Sequence, residues 1–286
     1  MEHLRKWVGN VESRSDSVTA FPIAALAATL GREDPPLQSG DAVPPLWHWL
    51  YFLPTATRLG VDGHVQRGEF LPPVALPRRM WAGGRLRFHR PLHVGDRIQR
   101  SSTVAGVRGK TGRTGELIFV TVRHTISVQS TVVITEEQDL VFRSHPSSIA
   151  TPSGARTSPG APAWRKQVTP DEIMLFRYSA LTFNAHRIHY DRSYATEKEG
   201  YPGLVVQAPL QATLLMELVT QANPAATIHD FTFRALQPSF DGSPLFVCGK
   251  LNEDGSSAAL WTSNLSGAIC MEATASLGPT SGQPAS

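Results

Sequence analysis

Apolar residues recur at helical spacing at four places along the chain. Residues 18–30 and 46–59 carry this pattern in the first half, although Pro54 interrupts the second of these stretches. Residues 169–172 predict the start of a helix in the second half, because proline and acidic side chains favour the first helical turn. A longer amphipathic helix, ending at residues 223–224, is predicted from the apolar positions Leu210, Leu214, Leu215, Leu218 and Val219.

The other apolar stretches are typical of β-strands. A polar loop, KTGRTG at residues 110–115, joins two of them. In each half the strands come after the helices, which predicts an α+β layout and an internal duplication. The predicted strands comprise residues 85–87, 97–104, 116–129 and 131–142 in the first half and residues 228–234, 245–251, 258–264 and 268–277 in the second.

A segment with little to bury separates the two halves. Residues 144–163, SHPSSIATPSGARTSPGAPA, consist mostly of small and polar residues and proline, which predicts an interdomain linker. The tail at residues 280–286 has the same character. We therefore predict an N-terminal domain over residues 1–143 and a C-terminal domain over residues 164–279.

Length and composition fit two globular domains. The 286 residues suit two units of about 130–140 residues each. Hydrophobic residues make up 41% and charged residues 18%, which excludes disorder throughout the chain. No apolar run approaches the ~20 residues that span a bilayer, and no signal peptide is visible. The two cysteines allow at most one disulfide, so a cytoplasmic location is expected.

The net charge of +3 comes mainly from arginine. Of the 27 basic residues, only five are lysine, and the densest stretch lies within residues 78–113. These arginines form a solvated basic face or attract a small polyanionic ligand, such as a phosphorylated cofactor. Aromatic residues are not interleaved with them, so nucleic acid is a weaker candidate partner.

The densest group of chemically active side chains occurs in YSALTFNAHRIHYD, residues 178–191. Its last eight residues contain Asn184, His186, Arg187, His189 and Asp191. His189 could be a general acid or base, because a histidine titrates near neutral pH. His186, His189 and Asp191 could instead bind a metal, but the rest of the chain offers no further ligand cluster. A third interpretation is that these polar side chains only cap helices and satisfy buried groups.

A second candidate element follows at residues 200–209, GYPGLVVQAP. It places a tight turn and a short apolar run before a helix N-terminus. Amides of a first helical turn lack partners within the helix and can donate to a negatively charged oxygen. Because Pro209 has no N–H, the amide of Ala208 is the predicted donor. The alternative is an ordinary connection between a strand and a helix.

Taken together, YSALTFNAHRIHYD and YPGLVVQAPLQATLL resemble the C-terminal half of the MaoC-like double hot-dog hydratases. The similarity is to the branch that includes itaconyl-CoA and mesaconyl-C4-CoA hydratases and related 3-hydroxyacyl-thioester dehydratases. The stretch MWAGGRLRFHRPLHVGDRI and the residues Phe233, Arg234, Ala235, Pro238 and Phe240 also match this branch. The resemblance implies two hot-dog halves, each a long helix wrapped by an antiparallel sheet. It also implies that the N-terminal hot-dog is degenerate, lines the acyl tunnel and has no catalytic residues.

The resemblance also implies roles for individual residues. The wider family has an aspartate, an asparagine and a catalytic histidine where this chain has Asn184, His186 and His189. Asparagine is neutral and cannot remove a proton, so we expect His189 to be the general acid/base and Asn184 to orient water or substrate. The family's oxyanion position, which would stabilise an enolate, falls on Ala208. Whether His186 shares in proton transfer stays open.

The implied activity is the hydration of a short, branched, dicarboxylic enoyl-CoA by a hydro-lyase. The expected conversion is mesaconyl-C4-CoA to citramalyl-CoA, with itaconyl-CoA as an associated substrate. Arg187 and Arg234 are the predicted substrate-binding cations, although Arg187 could equally point to solvent or pair with Asp191.

No metal or redox cofactor is expected, since CoA enters as part of the substrate, and a homodimer is possible. The alternatives are a fatty-acid 3-hydroxyacyl-thioester dehydratase, a thioesterase of the same fold and a non-catalytic acyl-CoA-binding protein.

Overall fold

In the computed structural model, which describes residues 1–112, 115–144, 156 and 158–279, the strands form one antiparallel sheet. The sheet runs without interruption through both halves of the chain. Its ten strands are β1 (Val11–Ser17), β2 (Arg78–Phe88), β3 (Arg97–Gly112), β4 (Gly115–Val128), β5 (Thr131–Arg143), β6 (Trp164–Val168), β7 (Ala226–Ala235), β8 (Leu245–Leu251), β9 (Ser257–Ser263) and β10 (Ile269–Pro279).

The two halves of the sheet have the same strand order, reflected about the pair β2–β7. The order is β1-β3-β4-β5-β2 in the first half and β7-β10-β9-β8-β6 in the second. At the junction, Gly83 of β2 lies opposite Arg234 of β7, and a Cβ at Gly83 would lie only 2.6 Å from the carbonyl oxygen of Phe233. Glycine therefore lets the two halves approach closely. This symmetry is the layout expected for a double hot-dog fold.

The helices occupy the two halves unequally. The longest described helix, α4, lies against strands β6–β10 and buries most of its side chains. In the first half the ten-residue α2 takes the place of a long helix, and it packs against α3. Among the described residues, no helix combines the length and the apolar character needed to cross a membrane. The helices are α1 (Glu2–Arg5), α2 (Ala20–Thr29), α3 (Glu172–Leu181) and α4 (Ala208–Ala222), with 3₁₀ turns at Trp47–Leu50 and Arg187–His189 and a π-helix at Tyr194–Lys198.

Most predicted elements are present at or near their predicted positions, but the helix predicted over residues 46–59 is wrong. Only the 3₁₀ turn Trp47–Leu50 forms there, because Leu46 and Phe52 adopt φ angles of 72° and 58° and Pro54 follows. The polar loop predicted over residues 110–115 is shorter, since the β3–β4 ladder extends to Gly112 and Gly115.

Two strands, β1 and β6, had no counterpart in the sequence prediction. They are the two edges of the sheet and consist mainly of polar residues, so they lack the apolar pattern of inner strands. Of the predicted linker, residues 145–155 and 157 lie outside the described residues, as does the predicted tail at residues 280–286. The domain boundaries therefore stay a prediction.

Candidate active site

A cavity of about 1900 Å³ receives side chains from both halves of the chain. Asn184, His186, His189 and Ala208 line it from the second half, and Arg234 of β7 is also part of the lining. The structure thus brings together five of the six predicted site residues. A volume of this size exceeds that of ordinary small-ligand pockets, and a long thioester would fit.

His189 is held in one tautomer by its backbone neighbour. Its Nδ1 lies 2.7 Å from the carbonyl oxygen of Val205. Because a carbonyl can only accept, Nδ1 carries the proton and Nε2 keeps its lone pair. The residue is only 7% exposed, and burial lowers the pKa of His189 to about 4. At neutral pH this ring is therefore an uncharged acceptor at the edge of the cavity.

Asn184 organises the turn that leads into the 3₁₀ helix. Its Oδ1 accepts a hydrogen bond from the backbone N–H of His186 at 3.1 Å, and its own N–H donates to Ser179 at 2.8 Å. Among the described residues, no protein group accepts from the side-chain Nδ2 of Asn184, which lines the cavity. That amide can therefore donate to water or to a ligand. The His186 ring follows, with its centroid 5.3 Å from that of His189.

Ala208 is the first residue of α4, so its amide has no acceptor within the helix. Gln207, just before it, donates from Nε2 to the carbonyl of Leu175 at 2.9 Å and to Oγ of Ser179 at 3.0 Å. These bonds fix the start of α4 against α3. Since Ala208 lines the cavity, its free amide is placed to donate to a ligand oxygen there.

Among the residues that the first half contributes to the lining, His64 and Arg79 lie near His186 and are absent from the predicted site residues. His64 lines the cavity, and its ring centroid lies 4.0 Å from that of His186. Its Nδ1 is 2.9 Å from Oδ2 of Asp62. Burial and the guanidinium of Arg79 lower the pKa of His64 to about 4, although Asp62 acts in the opposite direction. Burial alone would raise the pKa of Asp62, but the interactions with His64 lower it to about 2.

Arg79 of β2 is the second group from the first half. It lines the cavity and is half-buried. Among the described residues it makes no ion pair within 4.0 Å and no side-chain hydrogen bond. Burial lowers the pKa of Arg79 to about 10, and Asp62 opposes this shift. Its neighbour Arg78, by contrast, pairs with Glu199. A guanidinium without an ion-pair partner near His64 and His186 can bind an anion.

The structure does not bring Arg187 into the cavity lining. Its Nε and Nη2 donate to Oδ2 of Asp191 at 3.0 and 2.7 Å, and its Nη1 donates to the carbonyl of Val61 at 3.1 Å. The pairing with Asp191, left open by the sequence, is the one observed. Arg234, in contrast, is exposed at the cavity lining.

The metal site considered from the sequence does not form, because Asp191 is engaged by Arg187 and by the N–H of Tyr194. A different group, Asp62, His64 and His186, has ligand atoms within 4.8 Å of one another. Its fit to a divalent cation is poor. Asp62 already accepts from His64, and the guanidinium of Arg79 adds a positive charge nearby.

Comparisons with known proteins agree with this picture. Residues 46–241 match the family model described as Htd2, hydroxyacyl-thioester dehydratase type 2. The mesaconyl-C(4)-CoA hydratase of Chloroflexus aurantiacus is 43% identical over 95% of this chain and 97% of its own length. The mitochondrial hydroxyacyl-thioester dehydratase type 2 of Schizosaccharomyces pombe is 32% identical over 86% of this chain and 90% of its own.

Solved structures confirm the fold. A MaoC-like dehydratase superposes with a TM-score of 0.70 over 97% of this chain and all of its own, at 16% identity. A Mycobacterium tuberculosis protein with a double hot-dog fold gives a TM-score of 0.58 over 95% of this chain and 96% of its own, at 15% identity. The predicted double hot-dog fold, the resemblance and the hydratase activity are thus confirmed. The chain is a lyase of the hydratase and dehydratase group and belongs to the Htd2 family, hydroxyacyl-thioester dehydratase type 2.

Proposed function

We propose that this chain catalyses the reversible hydration of mesaconyl-C4-CoA to citramalyl-CoA, with itaconyl-CoA as an associated substrate. The observation that carries the proposal is the guanidinium of Arg79, which has no ion-pair partner among the described residues and lies near His64 and His186 in the cavity. A dicarboxylic acyl group has a free carboxylate, which needs such a cation. The 43% identity to a mesaconyl-C(4)-CoA hydratase supports the same substrate class.

The position of Arg79 suits this particular substrate. In mesaconyl-C4-CoA the free carboxylate is bonded to the β-carbon, the atom that receives water. The cation that binds the carboxylate must therefore lie close to the groups that hold the water. Arg79 is near enough to His64 and His186 to lower the pKa of both rings. Arg187 is already engaged by Asp191, and Arg234 remains available for the phosphates of CoA.

The residues of the second half supply the other interactions of the proposed reaction. His189 Nε2 accepts a hydrogen bond from the attacking water, and the Nδ2 of Asn184 donates to water or substrate. As the water oxygen bonds to the β-carbon, the π electrons shift toward the thioester oxygen. The Ala208 amide donates to that oxygen and stabilises the enolate. Addition of water changes no oxidation state of a cofactor, so the proposal includes no redox group.

The test follows the loss of enoyl-thioester absorbance with mesaconyl-C4-CoA and with crotonyl-CoA, which has no free carboxylate. We expect Arg79→Met to lower kcat/KM for mesaconyl-C4-CoA about 100-fold, equivalent to about 2.7 kcal/mol, with a much smaller effect on crotonyl-CoA. Arg90→Met, at an exposed arginine outside the cavity lining, is the matched control. An unchanged ratio between the two substrates in Arg79→Met would contradict the proposal.

A second candidate is a 3-hydroxyacyl-thioester dehydratase for fatty acids. Two observations favour it: the family match over residues 46–241, and a cavity of about 1900 Å³, which exceeds the needs of a short acyl group. A chain-length profile separates the two candidates, because this dehydratase would prefer long, uncharged acyl chains. The cytoplasmic location and the possible homodimer stay predictions from the sequence.

A further inference from the structure

In the histidine motif of the second half, Asn184 is uncharged and the carboxylate of Asp191 is engaged by Arg187. The first half of the chain brings a carboxylate to the same region, in the form of Asp62 bonded to His64. We propose that His64 takes the proton of the attacking water and that Asp62 is its positioning residue. The proposal rests on the hydration proposed above and gives the first half a direct part in the chemistry.

The loop that contains Asp62 and His64 is hydrogen-bonded to the segment that contains His186 and His189. The backbone N–H of Arg187 donates to the carbonyl of Asp62 at 2.9 Å, and its Nη1 donates to Val61 at 3.1 Å. Gly63 has a φ of +86°, and a Cβ there would lie 1.8 Å from the carbonyl oxygen of Ala185. Only glycine permits so close an approach. The contact between the two halves is therefore specific at this point, and it sets the position of His64 against His186.

Charge compensation distinguishes the two rings that can accept a proton. A histidine that takes a proton from water becomes an imidazolium in a site with little solvent. The hydrogen-bond partner of Nδ1 in His189 is a backbone carbonyl, which offers only a dipole. The hydrogen-bond partner of Nδ1 in His64 is a carboxylate, which offers a full negative charge. The positive charge is therefore better stabilised on His64, and His189 is left to hold the water.

Arg79 links proton transfer to substrate choice. Its guanidinium opposes a second positive charge on His64. When the carboxylate of a dicarboxylic substrate binds Arg79, that repulsion is offset. His64 then becomes a stronger base with the substrate in place.

The proposed step conserves atoms and charge. The O–H bond of water breaks, its proton moves to Nε2 of His64, and the oxygen forms a bond to the β-carbon. The π electrons of the double bond move onto the enolate, whose oxygen accepts from Ala208. The imidazolium of His64 then gives its proton to the α-carbon on the same face, and the ring returns to its neutral form. His189 accepts a hydrogen bond from the remaining O–H throughout.

The same three side chains, Asp62, His64 and His186, have ligand atoms within 4.8 Å of one another, so a metal at this site is the alternative that the experiment must exclude. A metal-activated water would make His64 a ligand and would block its Nε2 or Nδ1. The two roles predict opposite responses to a chelator. The experiment therefore measures hydration before and after treatment with EDTA and dialysis, and again after addition of Zn²⁺ alone.

The variants are His64→Gln, Asp62→Asn and His64→Gly, with His89→Gln at an exposed histidine as the matched control. We expect His64→Gln to lower kcat about 100-fold or more with KM within threefold of wild type. Asp62→Asn should lower kcat by a comparable factor, because an amide donating to Nδ1 forces the proton onto Nε2. Added imidazole should restore part of the kcat of His64→Gly, a response that a merely structural residue would not give.

Each variant is assayed with mesaconyl-C4-CoA and with crotonyl-CoA. Hydration of crotonyl-CoA alone would reject the proposed substrate while still testing His64 on the reaction that the chain performs. A kcat of His64→Gln within threefold of wild type would overturn the role of His64. Activity that is lost with EDTA and restored by Zn²⁺ would overturn it in favour of a metal site. Full activity after EDTA is the expected result.

Discussion

Replacement of Gly63 by alanine tests whether contact between the halves positions the active site. Gly63 lies between Asp62 and His64, in a loop whose backbone touches that of Ala185. A Cβ added at Gly63 would lie 1.8 Å from the Ala185 carbonyl oxygen, whereas real Cβ contacts essentially never fall below 3.0 Å. The loop must therefore retreat by about 1.2 Å, and it carries His64 with it.

The expected effect on catalysis is larger than that on stability. A misplacement of about 1 Å costs about 100-fold in rate, or about 2.7 kcal/mol in the barrier. Gly63 has a left-handed backbone with φ +86°, which alanine rarely adopts, so the substitution lowers the free energy of unfolding by roughly 1–2 kcal/mol. Since residues 60–64 form a partly exposed loop, we expect the chain to absorb the clash by moving the loop and to stay folded.

Gly40→Ala is the matched control. Gly40 has a φ of +91°, and a Cβ there would meet no atom within 4 Å. Gly40→Ala therefore has a similar unfavourable left-handed backbone but no steric clash. Both variants are compared by urea denaturation and by kcat/KM for enoyl-CoA hydration. We expect similar losses of stability but a 100-fold lower kcat/KM in Gly63→Ala alone. Equal kcat/KM values in the two variants would refute the argument that this contact sets the active-site geometry.

Two further predictions concern pH and position 184. The folded pKa values of His64, His124 and His189 are about 4, below the ordinary 6.5, mainly because burial disfavours the charged rings. Between pH 4 and pH 6.5 the unfolded chain binds more protons than the folded chain, so the free energy of unfolding should fall as the pH drops. The expected decrease is about 3 kcal/mol from pH 6 to pH 5. Urea denaturation at the two pH values measures this change, and equal stabilities would contradict it. Asn184→Asp should lower kcat/KM for mesaconyl-C4-CoA more than for crotonyl-CoA, because the new carboxylate would face that of the substrate; an equal decrease for both substrates would contradict this reason.

The sequence predicts the part of the site from the second half of the chain well, because its residues lie close together in the sequence. Asn184, His186 and His189 fall within six residues, and Ala208 follows at a recognisable helix start. All four line the same cavity in the structure, although their catalytic roles stay predictions. His64 could not be found in this way. It meets His186 across more than a hundred residues of chain, and the isolated triplet Asp-Gly-His at residues 62–64 carries no periodic signal.

The same distinction between local and distant contacts explains which strands and helices could be predicted. Inner strands such as β4 have an apolar face, and α4 has an apolar stripe, so both could be predicted from residue spacing. The polar edge strands β1 and β6 could not, because they exist only through pairing with β3 and β8. Arg79 has the same difficulty. Nothing local separates it from Arg78, and both residues line the cavity, but of the two only Arg78 is paired with a carboxylate, that of Glu199.

The distribution of charge between the halves gives a physical reason for asparagine at position 184. If the substrate carries its own carboxylate on the β-carbon, an aspartate beside the attacking water would repel it. At 4 Å and an effective dielectric constant near 20, this repulsion amounts to about 4 kcal/mol. A carboxylate at Asp62, which bonds His64 and does not line the cavity, avoids the repulsion and still stabilises a protonated ring. Under the proposed function, Arg79 faces the carboxylate of the substrate. The uncharged side chain of Asn184 and the charges of Asp62 and Arg79 then suit one dicarboxylic substrate together.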